Sequence, residues 1–405
     1  MVFKKIIITL FFLLQSYSSA QPLNTYSFGV ELNFAKPDLN DMSLEEKIAQ
    51  MIMVRVSGKF YNNPSYSYNS TKKLIQDYKV GGVIMFYADI HGAFHNINLF
   101  QNWSDIPLLI GSDYERGLGQ WMDGGTLFPS NMAIAATGDT RNAYLQGEVI
   151  AKEAKHLGVH VVFAPVLDVN NNPSNPIINL RAYSDVPNIV SEYGNSFIDG
   201  IQDNGIFACA KHFPGHGNTD IDSHSSLPII NVDKKTLYKN ELYPFKSAIE
   251  NGVEMIMIGH LVVPSLDPSQ KPSTHSSRII TDILKKDLSF SGLVITDAME
   301  MGALSSNISN DESVIRAVEA GSDILLLPID AISSIDAIKN AVLNGRIDEN
   351  RINQSVSKIL KLKENAGLFN NEGFPNWTNI EQFVGSSKHK NIAKKITAES
   401  ITLVK

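Results

Sequence analysis

Eight short apolar runs, separated by amphipathic stretches, restrict what this chain can fold into more than any other feature of it. They are Met51–Val54, Gly82–Phe86, Pro107–Gly111, Val159–Phe163, Ile206–Cys209, Val253–Ile258, Gly292–Ile295 and Asp323–Leu327. Most lack the strict alternation of a strand with one wet face, so both faces of the sheet must be covered. Stretches such as Arg141–Leu157 and Lys234–Asn251 carry apolar side chains at helical spacing between them, the alternation expected of a parallel α/β fold. Eight near-continuous strands favour a closed (β/α)8 TIM barrel over an open doubly wound sheet, with an irregular first strand expected. Ser43-Leu44-Glu45-Glu46 reads as a capping box opening the first helix.

Polar residues bunch just after these runs. Asp113, Asp168, Lys211 with His212, His260 and Asp297 each follow a different one. A single aspartate in such a place often only caps the next helix. Five such positions on successive strands converge on a common pocket at the C-terminal face of a barrel.

The densest of them is Lys211-His212-Phe213-Pro214-Gly215-His216-Gly217-Asn218-Thr219-Asp220-Ile221-Asp222-Ser223-His224. Three histidines, a lysine and two aspartates lie there on Pro-Gly and His-Gly steps that let backbone bend sharply beside a ligand. In extended backbone Asp222 and His224 would point to the same side, where the carboxylate can fix the imidazole in one tautomer.

This run resembles the signature of glycoside hydrolase family 3, in its beta-N-acetylglucosaminidase branch. Met42–Ile48 is similar to the family's entry segment, Ala164–Asp168 to the block before the loop bearing Arg181, and Val294–Met299 to the block carrying the nucleophile. The resemblance runs from about Met42 to Phe369 and implies a barrel enzyme that removes terminal β-linked N-acetylglucosamine by a retaining double displacement, without a cofactor. It implies Asp297 as nucleophile and His224 as general acid and base, oriented by Asp222. It further implies that Asp113, Arg181, Lys211 and His212 bind sugar hydroxyls, while His216 shapes the loop or lines the sugar site. The family's pattern is broken at Arg116, Leu118 and Trp121, which stand where a glycine and two arginines are usual. The far side of the sugar is therefore expected to be contacted differently, by an indole face in place of planar donors.

Several other readings compete, among them a beta-glucosidase of the same fold and a sugar-binding module that has lost catalysis. His212, His216, Asp222 and His224 could be taken as zinc ligands of a metal-dependent hydrolase. The same covalent intermediate would also serve a phosphorylase or transglycosylase, because a histidine acid/base does not repel a phosphate acceptor.

The chain has 405 residues, with 35 Lys and Arg against 42 Asp and Glu for a net charge of −7. That acidity argues against nucleic acid as a partner and leaves a small saccharide as the expected one. Lys4 and Lys5 precede the short apolar run Ile6–Leu14 and a polar stretch ending at Ala20, the pattern of a secretory signal peptide over residues 1–20. The run is too short to span a bilayer, so a periplasmic or secreted protein with no membrane insertion is expected. Cys209 is the only cysteine, and its apolar neighbours predict a buried, inert thiol. The predicted organisation is completed by a lead-in over residues 21–41, a catalytic barrel over 42–369, and an exit linker and helix over 370–405 that either start a second domain of a longer protein or end a single-domain form with a short terminal strand.

Overall fold

The capping box forms as its sequence requires. Ser43 accepts from the Glu46 amide while the Glu46 carboxylate accepts from the Ser43 amide, opening helix α1 (Leu44–Gln50). This computed structural model describes residues 34–61, 65–220, 223, 227–305, 308–370, 372–375 and 377–403. The expected signal peptide, Asp222 and His224 lie outside the described residues.

From α1 the chain enters a sheet of eight parallel strands. They are β1 (Ile52–Ser57), β2 (Gly82–Phe86), β3 (Leu109–Ser112), β4 (Val161–Val162), β5 (Phe207–Phe213), β6 (Met255–Ile258), β7 (Leu293–Thr296) and β8 (Leu325–Leu326). Each strand pairs with its neighbours in chain order, and β8 pairs with β1. A parallel bridge between Ile295 and Ile324 joins β7 to β8 and closes the ring. Between the strands run α2 (Tyr66–Gln76), α3 (Ile90–Trp103), α4 (Arg141–Leu157), α5 (Pro187–Gln202), α6 (Tyr243–Glu250), the π-type helix α7 (Arg278–Asp287) and α8 (Asn310–Ala320); α9 (Ala331–Leu343) follows the last. This is a (β/α)8 barrel. The near-continuous apolar runs are explained by it: one face of each strand fills the barrel and the other meets the helical ring.

Two details differ from the sequence reading. The first strand is regular, with five consecutive residues from Met53 to Ser57 in register with Gly82 to Phe86. The stretch Lys234–Asn251 is two helices, Lys234–Lys239 and Tyr243–Glu250, because Pro244 sits in the first turn of the second. Proline lacks an amide hydrogen and clashes with a preceding turn, so it starts a helix more readily than it continues one.

After the barrel, α10 (Glu349–Asn365), α11 (Trp377–Phe383) and α12 (Ser387–Glu399) follow. The stretch predicted as linker and second-domain opening packs on the barrel's flank. The buried Glu153 of α4 accepts from the Gly385 amide at 3.0 Å and pairs with His389 Nδ1 at 2.9 Å. Among the described residues no helix is long and apolar enough to cross a membrane.

Candidate active site

The strand ends place the candidate side chains around one cavity of about 520 Å3 at the C-terminal mouth of the barrel. Asp113 follows β3, and Lys211 and His212 lie near the C-terminal end of β5. Asp168 comes beside them because the Leu167 amide donates to the Lys211 carbonyl at 2.7 Å, continuing the sheet past β4. Asp297 follows β7, its amide bonded to the Ile258 carbonyl at 2.9 Å. The Ala164-Pro165, Lys211-His212 and Phe213-Pro214 peptides of this region are cis.

Lys211 is the centre of the polar cluster. Its ammonium donates to Asp113 Oδ1 and lies against Glu115 Oε1, both at 2.7 Å. Arg181 grips the same Glu115 in a fork, Nε to Oε2 at 3.0 Å and Nη2 to Oε1 at 2.7 Å. Burial disfavours charge on Glu115, but Arg181 and Lys211 outweigh it and hold the carboxyl well below the usual range. Burial likewise opposes charge on Lys211, and Asp113 with Glu115 reverse it to keep the ammonium charged. Two carboxylates and two cations thus hold one another in fixed positions, and a hydroxyl arriving there meets oriented charged partners.

The histidines are set by Asp168. Its Oδ2 accepts from His212 Nδ1 at 2.7 Å, and its Oδ1 accepts from the His216 amide at 2.6 Å. His212 therefore presents its Nδ1–H to this carboxylate, and its Nε2 lies 3.4 Å from Arg181 Nη2. Burial works against the Asp168 charge, but His212 and His216 outweigh it and lower its pKa. His216 lines the cavity, yet both its ring nitrogens serve the loop. Thr219 donates its hydroxyl hydrogen to the His216 carbonyl, so its oxygen accepts from His216 Nδ1 at 2.9 Å. Nε2 then accepts from the Ser223 hydroxyl at 3.0 Å. Burial lowers the His216 pKa to about 4, so it stays neutral in this role. With both nitrogens spoken for by hydroxyls, His216 has no lone pair directed at a metal.

Asp297 is partly buried at the cavity wall, and its Oδ1 accepts from the Ala298 amide at 2.8 Å. Desolvation opposes its charge, but His212 and His260 outweigh it and the carboxyl is held ionised below its ordinary value. His260 supports this turn from behind, with Nε2 3.0 Å from the Ala298 carbonyl and Nδ1 2.6 Å from Thr274 Oγ1. An ionised carboxylate facing a cavity that also holds a buried cation and a neutral imidazole can act as a nucleophile toward an electrophilic carbon.

Sequence reasoning named Asp113, Arg181, Lys211, His212, His216 and Asp297, and all six line this cavity. It missed Glu115, whose signal was its position two residues from Asp113. It also missed Arg55 and Glu300, which meet at 2.6 Å across the rim. An arginine inside the otherwise apolar β1 was a visible anomaly; nothing local marked Glu300. Of the departures from the family pattern, Trp121 and Arg116 line the cavity, whereas Leu118 is fully buried away from it.

A closed parallel barrel with ionised Asp297 and this cluster at its C-terminal mouth has the form of a glycosidase barrel. Residues 43–362 match the model of the glycosyl hydrolase family 3 N terminal domain, and the chain belongs to that family. It is 32% identical over 367 residues to beta-hexosaminidase A of Pseudoalteromonas piscicida, covering 82% of this chain and 60% of that protein. Among solved structures, the glycoside hydrolase family 3 beta-N-acetylglucosaminidase of a Paenibacillus species superposes with a TM-score of 0.82 at 34% identity, covering 90% of this chain and 70% of that one. A beta-glucoside phosphorylase superposes with a TM-score of 0.85 at 27% identity, covering 91% and 66%. The chain spans about 60% of the length of the first of these relatives.

Proposed function

We propose that this chain is an exo-acting, retaining beta-N-acetylglucosaminidase that releases terminal β-linked N-acetylglucosamine from peptidoglycan fragments or chitin oligosaccharides. The observation carrying this reading is the juxtaposition of an ionised Asp297 with the buried Lys211 cluster in one cavity. The terminal sugar is held by its hydroxyls on Asp113, Lys211, Arg181 and His212. Asp297 attacks the anomeric carbon, the glycosidic C–O bond breaks, and His224 gives its proton to the departing oxygen. Water then adds to the glycosyl-enzyme while His224 takes a proton back, and Asp297 leaves as a carboxylate. His224 and Asp222 come from the sequence; the described support for their loop is Asp168, His216 and Ser223. We propose export by the N-terminal segment, which brings the enzyme to such glycans.

The test is hydrolysis of aryl N-acetyl-β-glucosaminide beside aryl β-glucoside by the wild type, His224→Ala and Asp297→Ala. Cleavage of the N-acetyl sugar, with both variants disabled, is expected. Cleavage of the glucoside alone, or full activity of His224→Ala on a poor leaving group, would overturn it. The likeness to a beta-glucoside phosphorylase supports a second reading, in which phosphate replaces water as acceptor. Turnover that rises with added phosphate and yields a sugar 1-phosphate would select it.

A further inference from the structure

The cavity has a second wall that the catalytic reading leaves unused. Across the barrel from β5, strands β1 and β2 present Arg55 and Phe86 to it, and Trp121 stands beside them. The Arg55 guanidinium lies 5.2 Å over the Phe86 ring and pairs with Glu300. Trp121 meets Phe86 edge-on at 5.1 Å. Tyr87 in turn meets Trp121 edge-on at 5.2 Å, so the aromatic wall continues from the cavity to the surface.

Tyr87 is the informative member. It is 63% exposed, and its backbone is left-handed at a φ of 50°. A non-glycine residue there carries conformational strain, and little burial offsets it. The cavity lining also has a direction. Lys211, Glu115 and His212 are buried, whereas Arg55, Arg116 and Glu300 are the exposed lining residues and mark the mouth. A terminal sugar seated on the buried cluster directs the rest of its glycan past these residues.

We infer that Tyr87, Trp121 and the Arg55–Glu300 pair form a subsite for the pyranose ring on the leaving-group side of the scissile bond. The aromatic faces take the apolar C–H face of that ring, as amphipathic aromatics do at wet recognition surfaces. The ion pair offers donors and acceptors to its hydroxyl edge. This inference rests on the proposed glycosidase reading. Binding energy from a sugar that does not itself react is spent in the transition state, so it appears in kcat/KM for glycans that carry one.

The experiment compares kcat/KM for a disaccharide of two β-linked N-acetylglucosamines with that for methyl N-acetyl-β-glucosaminide, in the wild type, Tyr87→Gly and Tyr87→Phe. Glycine suits the left-handed backbone, so removal of the ring is separated from damage to the fold. The disaccharide-to-methyl ratio is expected to fall about five- to tenfold in Tyr87→Gly, the worth of one aromatic contact, and to recover in Tyr87→Phe. A ratio within about twofold of wild type, or an equal fall on both substrates, overturns the inference. Should the wild type cleave neither N-acetyl substrate, the proposed activity fails instead. The subsite is then tested by the same ratio measured with cellobiose and methyl β-glucoside, where the same fall supports it and an unchanged ratio overturns it.

Discussion

The two ends of the barrel both bury charge, and they use it in opposite ways. At the C-terminal mouth Lys211 is surrounded by the carboxylates Asp113 and Glu115 beside an open cavity. At the N-terminal floor the arrangement is inverted around Asp323, a buried carboxylate that accepts from Ser355 at 2.6 Å and from the Val294 amide at 3.0 Å. Arg351 lies 3.2 Å from it, with Lys285 and Lys358 at 3.6 and 3.7 Å. These cations also donate to backbone carbonyls, Arg351 to Ser322, Lys285 to Gly321 and Lys358 to Gly292. The floor cluster therefore ties α10 and α7 to the strand ends, whereas the mouth cluster holds donors and acceptors toward a space a substrate can enter. Buried ion pairs are poor sources of net stability but costly to break. The same physics thus predicts structural loss at one end and functional loss at the other.

The contrast is sharpest at Asp297. Asp297→Asn is expected to lower kcat on the order of 10⁴-fold or more, as loss of a nucleophile does, while stability falls only by what its lowered pKa confers. Calorimetry beside a turnover assay checks both halves, and a comparable loss of stability would erase the distinction. Asp323→Asn is the converse. It leaves three cations around a neutral amide and is expected to cost about 3–5 kcal/mol in urea unfolding, while activity per folded molecule stays at wild type. Lys211→Met breaks both rules together, losing stability of similar size and nearly all turnover, because Asp113 is deprived of its cation and Glu115 is left to Arg181 alone.

Acid sharpens the comparison through histidine. His160 at the floor accepts from the Ile110 amide and lies 2.9 Å from the Gly373 carbonyl, so it is held neutral with the proton on Nε2. Burial lowers its pKa to about 4, as for His216 at the mouth. Between about pH 6.5 and 4 the unfolded chain binds protons that the folded chain refuses. Stability conferred by these neutral histidines is complete above that window and is lost as pH falls through it, on the order of 3 kcal/mol for each. His160→Gln should flatten the slope of unfolding free energy against pH by one proton without altering the pH–activity profile. His216→Gln should flatten it equally but also shift that profile, through the loop it supports.

The smallest expected effect is at Lys363, buried in the floor with its ammonium 2.6 Å from Gln50 Oε1. Burial lowers its pKa to about 7. From pH 7 to about 10.4 the unfolded chain binds the proton more tightly, so this lysine destabilises the fold and the penalty fades as pH rises through that range. Lys363→Met should stabilise by about 1–2 kcal/mol at pH 7 after loss of the Gln50 bond. The gain should shrink toward pH 10 in urea titrations.

Much of this division was legible in the sequence. Each of the eight apolar runs contains or overlaps a strand, because a strand covered on both faces is apolar along most of its length. Asp113, Lys211, His212 and Asp297 were recognisable because polar side chains directly after such runs emerge at the C-terminal rim. Arg55 escaped notice because the run around it was read as ending at Val54, where the pairing with β2 continues to Ser57. The break at Asn240–Leu242 followed from Pro244, a local signal outweighed by the longer amphipathic pattern.

Local chemistry alone determined the strand and helix alternation, the capping box at Ser43 and the identity of the charged strand ends, since each depends on neighbours within a few residues. Tertiary structure decided who meets whom. Lys211 and Asp113 are 98 residues apart in the chain and 2.7 Å apart in space. Arg55 reaches Glu300 across 245 residues. The charge state of Glu115, the setting of His212 on Asp168, and the sorting of Trp121 into the cavity and Leu118 into the core all follow from those meetings. They depend on burial and on partners supplied by other strands, and closure of the ring is what brings those partners together.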